Sequence, residues 1–131
     1  MSFALDVSRF VEKAKKNPEK VIRQVSIKLF SAIIKASPVD AGRFRMNWMA
    51  SNGTPADGTT DATDKSGTTA TKKATSFVLN SADWKAFTLT NNLPYAQRLE
   101  YGWSQQAPQG MVRTNVSRFQ QLLNEEASKV K

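Results

Sequence analysis

The sequence predicts an α+β domain in which a small antiparallel sheet packs against helices from the N-terminal and C-terminal parts of the chain. Two observations lead to this prediction. Apolar residues recur at helical spacing over 6–36 and 112–130, whereas they alternate with polar residues over 43–51 and 84–91. The length of 131 residues fits one structural domain, 1–131.

Two helices are predicted in the N-terminal part of the chain. A short amphipathic helix covers 6–16, with Asp6 as its N-cap. A longer helix begins at Asn17 and Pro18, because Asn is a good cap and Pro is tolerated at the first helical position. This second helix runs to about Ala36, where the Ser-Pro pair that follows ends it.

The longer helix carries more apolar residues than one face requires. Ile27, Phe30 and Ile34 fall outside its main apolar stripe. A helix that is apolar on more than one side must be covered on more than one side. We therefore expect cover from a neighbouring subunit in addition to the helix's own core.

A first strand is predicted over 43–51, where Phe44, Met46 and Trp48 alternate with polar residues. The next segment, 52–76, contains eight Thr and three Gly but no Val, Ile, Leu, Met or aromatic residue. Such a segment buries little apolar surface, so we expect a long flexible loop between two strands that orders only against a partner. An insertion without a role is the alternative interpretation.

Three further elements are predicted after the loop. Residues 84–91 are rich in aromatic and Thr side chains and indicate a second strand. Residues 95–101 fit a turn or two of helix that ends at Gly102. From Val112 onward the apolar spacing predicts a C-terminal amphipathic helix of about 20 residues.

The charge of the chain favours acidic partners. Lys and Arg number 19 against 11 Asp and Glu, and residues 1–36 alone carry a net charge of +5 (8 basic, 3 acidic). A field of this sign attracts either nucleic acid or an acidic protein surface. Solvated lysines on a helix face are the simpler interpretation. No apolar run approaches the roughly 20 residues of a membrane span, so we expect a soluble protein without membrane contact.

The residue types that carry most catalytic chemistry are scarce. The chain contains no Cys and no His, which removes the usual nucleophilic thiol, general base and metal ligand. Asp57, Asp61 and Asp64 lack the spacing of a calcium loop, and a lone Glu100 is far more often a structural acceptor than a catalyst. We expect no enzyme activity, no metal site and no cofactor.

The aromatic residues allow two interpretations. Trp48, Trp84 and the three aromatic residues within 95–103, with Arg43, Arg45 and Arg98 nearby, could stack bases and contact phosphates, so a small basic nucleic-acid-binding module is the alternative function. Core packing is the simpler account of the two tryptophans. Aromatic and Arg residues are also enriched at protein interfaces. The interface candidates in this segment are Tyr95, Arg98, Tyr101 and Trp103.

Two segments resemble a known family. These are SPVDAGRFRMNW, residues 37–48, and NNLPYAQRLEYGWSQQAPQGMVR, residues 91–113. Both resemble the neck and tail-completion family of tailed bacteriophages, whose members pair a P-V-D-[TA]-G-R-[FL]-R element with a later P-Y-A-x-x-[LV]-E-[YFN]-G element. The matching positions are Pro38, Asp40, Gly42, Arg43 and Arg45 in the first element, and Pro94, Tyr95, Ala96, Glu100 and Gly102 in the second.

The resemblance implies a structural virion protein at the interface between head and tail. It implies a homo-oligomeric ring, with six subunits expected from related tail rings, that adjoins head-connector or head-closure proteins on one side and tail-terminator or tail-tube proteins on the other. Genomic DNA would pass through the lumen with transient contact. The expected location is the neck of the virion, after assembly in the host cytoplasm.

A physical account accompanies the resemblance. If 43–51 is a strand, Arg43 and Arg45 project from one face, spaced to meet a carboxylate or a row of carbonyl oxygens. Glu100 is the candidate partner for one of them, within the subunit or across to the next. We hypothesise that these charges set ring geometry, so that replacing Arg45 or Glu100 weakens assembly and leaves a folded monomer.

Overall fold

The computed structural model describes residues 3–6, 18–84, 86–102, 104–107, 109–118 and 121. Its architecture is α+β, as the sequence predicts. The elements in chain order are β1 (Phe3–Asp6), α1 (Pro18–Ala36), α2 (Arg43–Met46), β2 (Trp48–Ser51), α3 (Thr68–Asn80), β3 (Thr88–Asn91), α4 (Ala96–Glu100) and α5 (Val112–Val116).

The sheet has three strands in the order β1-β3-β2, and both pairings are antiparallel. Leu89 on the central strand lies opposite Leu5 on one side and Ala50 on the other. Every residue of β3 is buried. β1 was not predicted, and Asp6 is its last residue. The helix predicted over 6–16 otherwise lies outside the described residues.

The helix α1 is the centre of the core and confirms the longer predicted helix. Seven of its apolar residues are almost fully inaccessible to solvent, and they include Phe30 and Ile34 from outside the main stripe. The second side is covered within the same chain, because α3 packs along α1. Cover by a neighbouring subunit is therefore not needed for these residues. The seven are Val21, Ile22, Val25, Leu29, Phe30, Ile33 and Ile34.

The prediction of one continuous loop over 52–76 is wrong for its second half, because α3 begins at Thr68. Ala70, Ala74 and Val78 lie four residues apart and are buried in the core. Alanine side chains let two helices approach closely, and their stripe is inconspicuous among threonines. Residues 52–67 are largely irregular, and the flexibility predicted for them stays a prediction.

The prediction of one strand over 43–51 is also wrong for its first half. Residues 43–46 form the helical turn α2, and β2 begins only at Trp48. Phe44 and Trp48 are four residues apart, a spacing that both an alternating strand and a helical turn place on one face. Their rings meet edge to face, with centroids 5.7 Å apart. The spacing of the apolar residues therefore could not distinguish a strand from a helical turn.

The remaining predictions hold in part. The predicted strand over 84–91 is shorter, since β3 begins at Thr88. The predicted turn of helix after Tyr95 is α4, and it ends as expected before Gly102, whose φ is 92°. The C-terminal helix begins at Val112 as predicted. However, α5 ends at Val116, and residues 117–118 form a turn, so the single helix of about 20 residues is not continuous there. The rest of the predicted helix lies outside the described residues, apart from residue 121.

Candidate interaction site

The two segments that resemble the phage family meet in one groove. The groove has a volume of about 440 Å³ and lies between the chain that follows α1, the turn α2, and the helix α4. Its lining residues come from both segments: Pro38, Val39, Asp40, Ala41, Gly42, Arg43 and Phe44 from the first, and Tyr95, Leu99, Ser104 and Gln106 from the second. We refer to these residues as the groove.

Side chains of each segment hold the other in place. The Gln106 amide accepts a hydrogen bond from the Val39 N–H and donates one to the Val39 carbonyl oxygen, both at 2.8 Å. Asn91 donates from Nδ2 to the carbonyl oxygen of Phe44 at 2.9 Å. The Phe44 and Tyr95 rings lie 6.1 Å apart. These contacts fix the width of the groove.

Gly42 joins the groove to the segment before α3. Its φ is 94°, a conformation that favours glycine. Its carbonyl oxygen accepts a hydrogen bond from the Asp64 N–H at 3.0 Å. A Cβ at this position would lie 2.6 Å from the Lys65 nitrogen, so the close approach of the two backbones also requires glycine.

Arg43 and Arg45 do not share a strand face, because both lie on α2. The Arg43 guanidinium reaches Asp61 at 3.3 Å and donates from Nε to the Thr60 carbonyl oxygen at 3.0 Å. Asp61 is itself exposed, so this ion pair lies at the surface of the molecule. Arg43 thus remains at the rim of the groove with its charge paired inside the subunit.

Arg45 binds a row of carbonyl oxygens. A carboxylate and a row of carbonyl oxygens were the two partners predicted for it from the sequence. It donates from Nε to Ser37, from Nη2 to Lys35 and from Nη1 to Lys65, at 3.0, 2.7 and 2.7 Å. Lys35 lies in the last turn of α1, where carbonyl oxygens have no partner within the helix. Arg45 therefore joins the end of α1 to the chain that leads into α3.

Glu100 pairs with neither of these arginines, so the hypothesis of an Arg–Glu100 pair across the two segments is wrong. Its carboxylate is only 1% exposed and accepts hydrogen bonds at 2.8 Å from the backbone N–H groups of Met111, Val112 and Arg113. The Arg113 Nε lies 3.1 Å from the same carboxylate. Glu100 is the structural acceptor that holds the start of α5 against α4.

The sequence singled out neither Arg113 nor Gly110 in this arrangement. Arg113 also donates to the Glu100 carbonyl oxygen at 2.6 Å, and its guanidinium lies 4.7 Å from the centre of the exposed Tyr101 ring. Gly110 has a φ of 82°, and a Cβ there would collide with the Glu100 backbone. Only the folded chain brings these residues, ten or more positions apart, into contact.

The predicted interface residues fall into two groups. The structure places Asp40, Arg43 and Tyr95 around the groove with part of each side chain in solvent. Pro94, Arg98 and Tyr101 are exposed but do not line the groove. Trp103 lies outside the described residues. The remaining candidates serve the subunit itself, since they are buried, bonded to its backbone or positioned at a helix end: Pro38, Gly42, Arg45, Ala96, Glu100 and Gly102.

Sequence reasoning missed Val39, Leu99 and Gln106 as parts of this site. Gln106 carries no local signal, because its two bonds are to a residue 67 positions away. Within the described ranges, no group of three or more Asp or Glu residues is arranged to hold a metal ion. None of the described helices combines the length and apolar character that a bilayer span requires.

The groove is therefore a shallow, mixed surface of aromatic, aliphatic and charged side chains, built from two distant segments. Its rim residues are of the types that contact other proteins. A scan against family models, a search of curated proteins and a search of solved structures find no match to this chain.

Proposed function

We propose that this chain is a structural subunit of the bacteriophage neck, forming a ring that joins the tail to the head connector and lets the genome pass. One observation supports this proposal above the others. The two segments that resemble the phage family are separated by residues 49–90, yet they form a single folded unit around the groove. Two elements that recur together in a family are expected to depend on each other physically, as these do.

The residues that match the family elements include some that hold the subunit together and some that stay exposed, as expected of an assembly subunit. Arg45 and Glu100 satisfy backbone groups inside the subunit and fix the positions of α1, α3, α4 and α5. Asp40 and Tyr95 remain partly in solvent at the groove. A rigid frame with exposed polar and aromatic residues favours specific contact with another protein, because little side-chain freedom is lost on binding.

The proposed role is mechanical and requires no bond-making step. The polar side chains that line the groove are charged, amide and hydroxyl groups, and the chain has no His or Cys to act as base or nucleophile. Function would come from shape and charge complementarity between subunits and with adjoining rings of the head and tail.

The alternative, a nucleic-acid-binding module, loses two of its candidate residues. Trp48 is 4% exposed and donates its indole N–H to Ser37 Oγ at 2.8 Å, so its ring has no face for a base. Arg45 is committed to three carbonyl oxygens. A salt titration distinguishes the functions, since tighter binding to DNA than to the adjoining ring at physiological salt contradicts our proposal.

The decisive experiment removes the coding sequence from its parent genome and examines the lysate by electron microscopy. We expect filled heads and separate tails, with infectivity restored by the wild-type gene. A Tyr95→Asp gene should fail to restore joining, because it places a charge on the aromatic wall of the groove. Ala82→Asp is the matched control at an exposed position outside both segments. Intact infectious particles from the deletion would overturn the proposal.

A further inference from the structure

Leu79 is an exposed aliphatic residue with charged neighbours. It lies near the end of α3, and 53% of its surface is accessible, which makes it the one exposed large aliphatic residue among the described side chains. Four residues from the first turns of α1 surround it: Glu19, Lys20, Arg23 and Gln24. An apolar centre with a polar rim is the arrangement found in protein interfaces. We refer to Leu79 and these four residues as the Leu79 patch.

The Leu79 patch and the groove lie at opposite ends of α1. The patch contacts residues 19–24, whereas the groove begins at Pro38, two residues after the helix ends. At 1.5 Å per residue, the intervening helix separates them by about 20–25 Å. One end of the subunit thus presents an exposed leucine beside a shallow depression, and the other presents the groove.

The unpaired charges at the two ends are opposite. In the patch, Arg23 and Glu19 neutralise each other at 3.1 Å, which leaves Lys20 without an ion pair among the described residues. At the groove, Arg43 is paired with Asp61 at 3.3 Å, and Asp40 has no ion pair within the described part of the chain. Within these two sets of residues, the unpaired charge beside Leu79 is therefore positive, and the unpaired charge at the groove is negative.

We propose that the groove binds the Leu79 patch of a second copy of this chain, with Leu79 against Val39, Tyr95 and Leu99 and with Lys20 facing Asp40. The contact is heterologous, because two different surfaces meet, and it repeats head to tail. Such a repeat closes into a ring when the rotation per subunit fits. This proposal rests on the ring function proposed above only for the closure of the repeat into a ring. The pairwise contact between two copies does not depend on that function.

Leu79 is the anchor of this contact, not the whole interface. A stable protein interface buries at least about 1,000 Å² in total, of which a few central side chains supply most of the binding energy. The ends of α1 and α3 beside Leu79, and α4 beside the groove, provide the surrounding area. Substitutions at the anchor and at the charged pair should therefore have the largest effects.

Cysteine cross-linking tests the contact directly, because the chain contains no native cysteine. The variants are Val39→Cys in the groove and Leu79→Cys in the patch, each checked for a native circular dichroism spectrum. Oxidation of the two variants mixed together should give a disulfide-linked dimer. Either variant alone should give much less, since a heterologous contact brings unlike surfaces together. The double variant should give a ladder of higher oligomers.

The matched control replaces Leu79→Cys with Thr59→Cys, at an exposed position outside the patch. If the Val39/Leu79 mixture cross-links no better than the Val39/Thr59 mixture, the proposed contact is wrong. Efficient cross-linking of one variant with itself would also overturn it, by indicating a twofold contact. If electron micrographs show rings but the mixed variants do not cross-link, this interface is wrong and the ring function still stands. If the mixed variants cross-link but virions form without the protein, the contact is right and the proposed function is wrong.

Charge reversal provides an independent measurement that does not depend on thiol chemistry. Lys20→Asp and Asp40→Lys should each weaken self-association at least tenfold in analytical ultracentrifugation, because each places like charges opposite one another. The double variant should recover most of the loss. Both side chains are exposed, so folding should be unaffected. Failure of the double variant to recover association would contradict the proposed pairing of Lys20 with Asp40.

Discussion

Two charged residues of this protein, one buried and one partly buried, satisfy backbone groups of their own subunit. Arg45 and Glu100 both lie in segments that resemble a phage family, and both were expected to set ring geometry, with Glu100 paired to an arginine within the subunit or across to the next. Instead, Glu100 accepts three backbone N–H groups at the start of α5, and Arg45 donates to three backbone carbonyl oxygens. Their replacement should therefore affect folding before it affects assembly.

We predict that Glu100→Gln destabilises the subunit by about 2–4 kcal/mol. Both carboxylate oxygens accept backbone N–H donors, and a glutamine of the same size has only one oxygen to offer. Its NH₂ group would face a donor. Urea denaturation measures the loss, with Glu19→Gln as the control, because that exposed ion pair contributes at most about 1 kcal/mol. Equal stability of the two variants would show that Glu100 is not the acceptor described.

A second prediction concerns two threonines on one face of β3. Thr90 is fully buried, and its Oγ1 has no hydrogen-bond partner in the described structure. Thr90→Val keeps the shape and removes the unpaired hydroxyl, so we expect a stabilisation of about 1 kcal/mol.

Thr88 is the matched control for this prediction, because its Oγ1 donates to the Gly53 carbonyl oxygen at 2.9 Å. Thr88→Val should lose about 1 kcal/mol. Thermal unfolding of both variants measures the change in stability, which should be positive for Thr90→Val and negative for Thr88→Val. Destabilisation of both by similar amounts would indicate that the Thr90 hydroxyl has a partner after all.

Among the elements, α3 depends most on long-range packing. It begins after a segment rich in Thr and Gly, and it buries only small side chains over its first two turns. Asp64 supports its start from outside the helix. This side chain accepts hydrogen bonds from the Gly67 and Ala70 N–H groups at 3.1 and 2.9 Å, two donors that the helix itself leaves unpaired.

These bonds lower the pKa of Asp64. Desolvation by burial is the largest single influence and raises the pKa, but hydrogen bonds from the Ala70 N–H, the Ser66 hydroxyl and the Gly67 N–H together outweigh it. The folded pKa is therefore below that of the unfolded chain, which is about 3.9. Its contribution to stability is present above pH about 4 and is lost as the pH falls through the lower folded pKa.

We predict that Asp64→Ala costs roughly 1 kcal/mol at pH 7, which is typical of a lost helix cap. The difference between wild type and variant should shrink as the pH falls below about 4, because the wild-type carboxylate becomes protonated. Denaturation curves at pH 7 and pH 3 give both values. A difference that stays constant over this range would mean that the charge of Asp64 does not stabilise α3.

At the scale of the whole molecule, Gly42 connects the groove to α3. Its backbone touches the chain at Asp64 and Lys65, just before the helix that covers α1. The groove, the N-terminal end of α3 and the C-terminal end of α1 therefore share one junction. A change at this junction should disturb all three together.

We predict that Gly42→Ala destabilises the fold by at least about 2–3 kcal/mol, because a Cβ would overlap backbone atoms and φ is positive. Gly58→Ala is the control for φ alone. Its φ is 87°, but nothing lies within 4 Å of the added carbon, so we expect a cost of about 1–2 kcal/mol. Urea denaturation measures the loss in free energy of unfolding for both variants. Equal losses would show that the effect at Gly42 comes from its positive φ and not from the close approach of the two backbones.

The α+β class, the helix α1 and the turn of helix α4 could all be predicted from the amino-acid sequence. In each case the signal is local: an apolar repeat at helical spacing, a Pro at the first turn, and a Gly just past the end. The absence of Cys and His is likewise a property of the sequence alone.

The helix α3, the helical turn α2 and the partners of Arg45 and Glu100 could be identified only in the folded chain. The alanine stripe of α3 becomes a buried face only when α1 lies against it, so no local pattern marks it among the threonines. The hydrogen bonds of Arg45 to Lys65, and of Glu100 to Met111, join residues 20 and 11 positions apart. Such pairings follow from how the elements pack, because a charged side chain binds whichever backbone groups the fold brings within its reach.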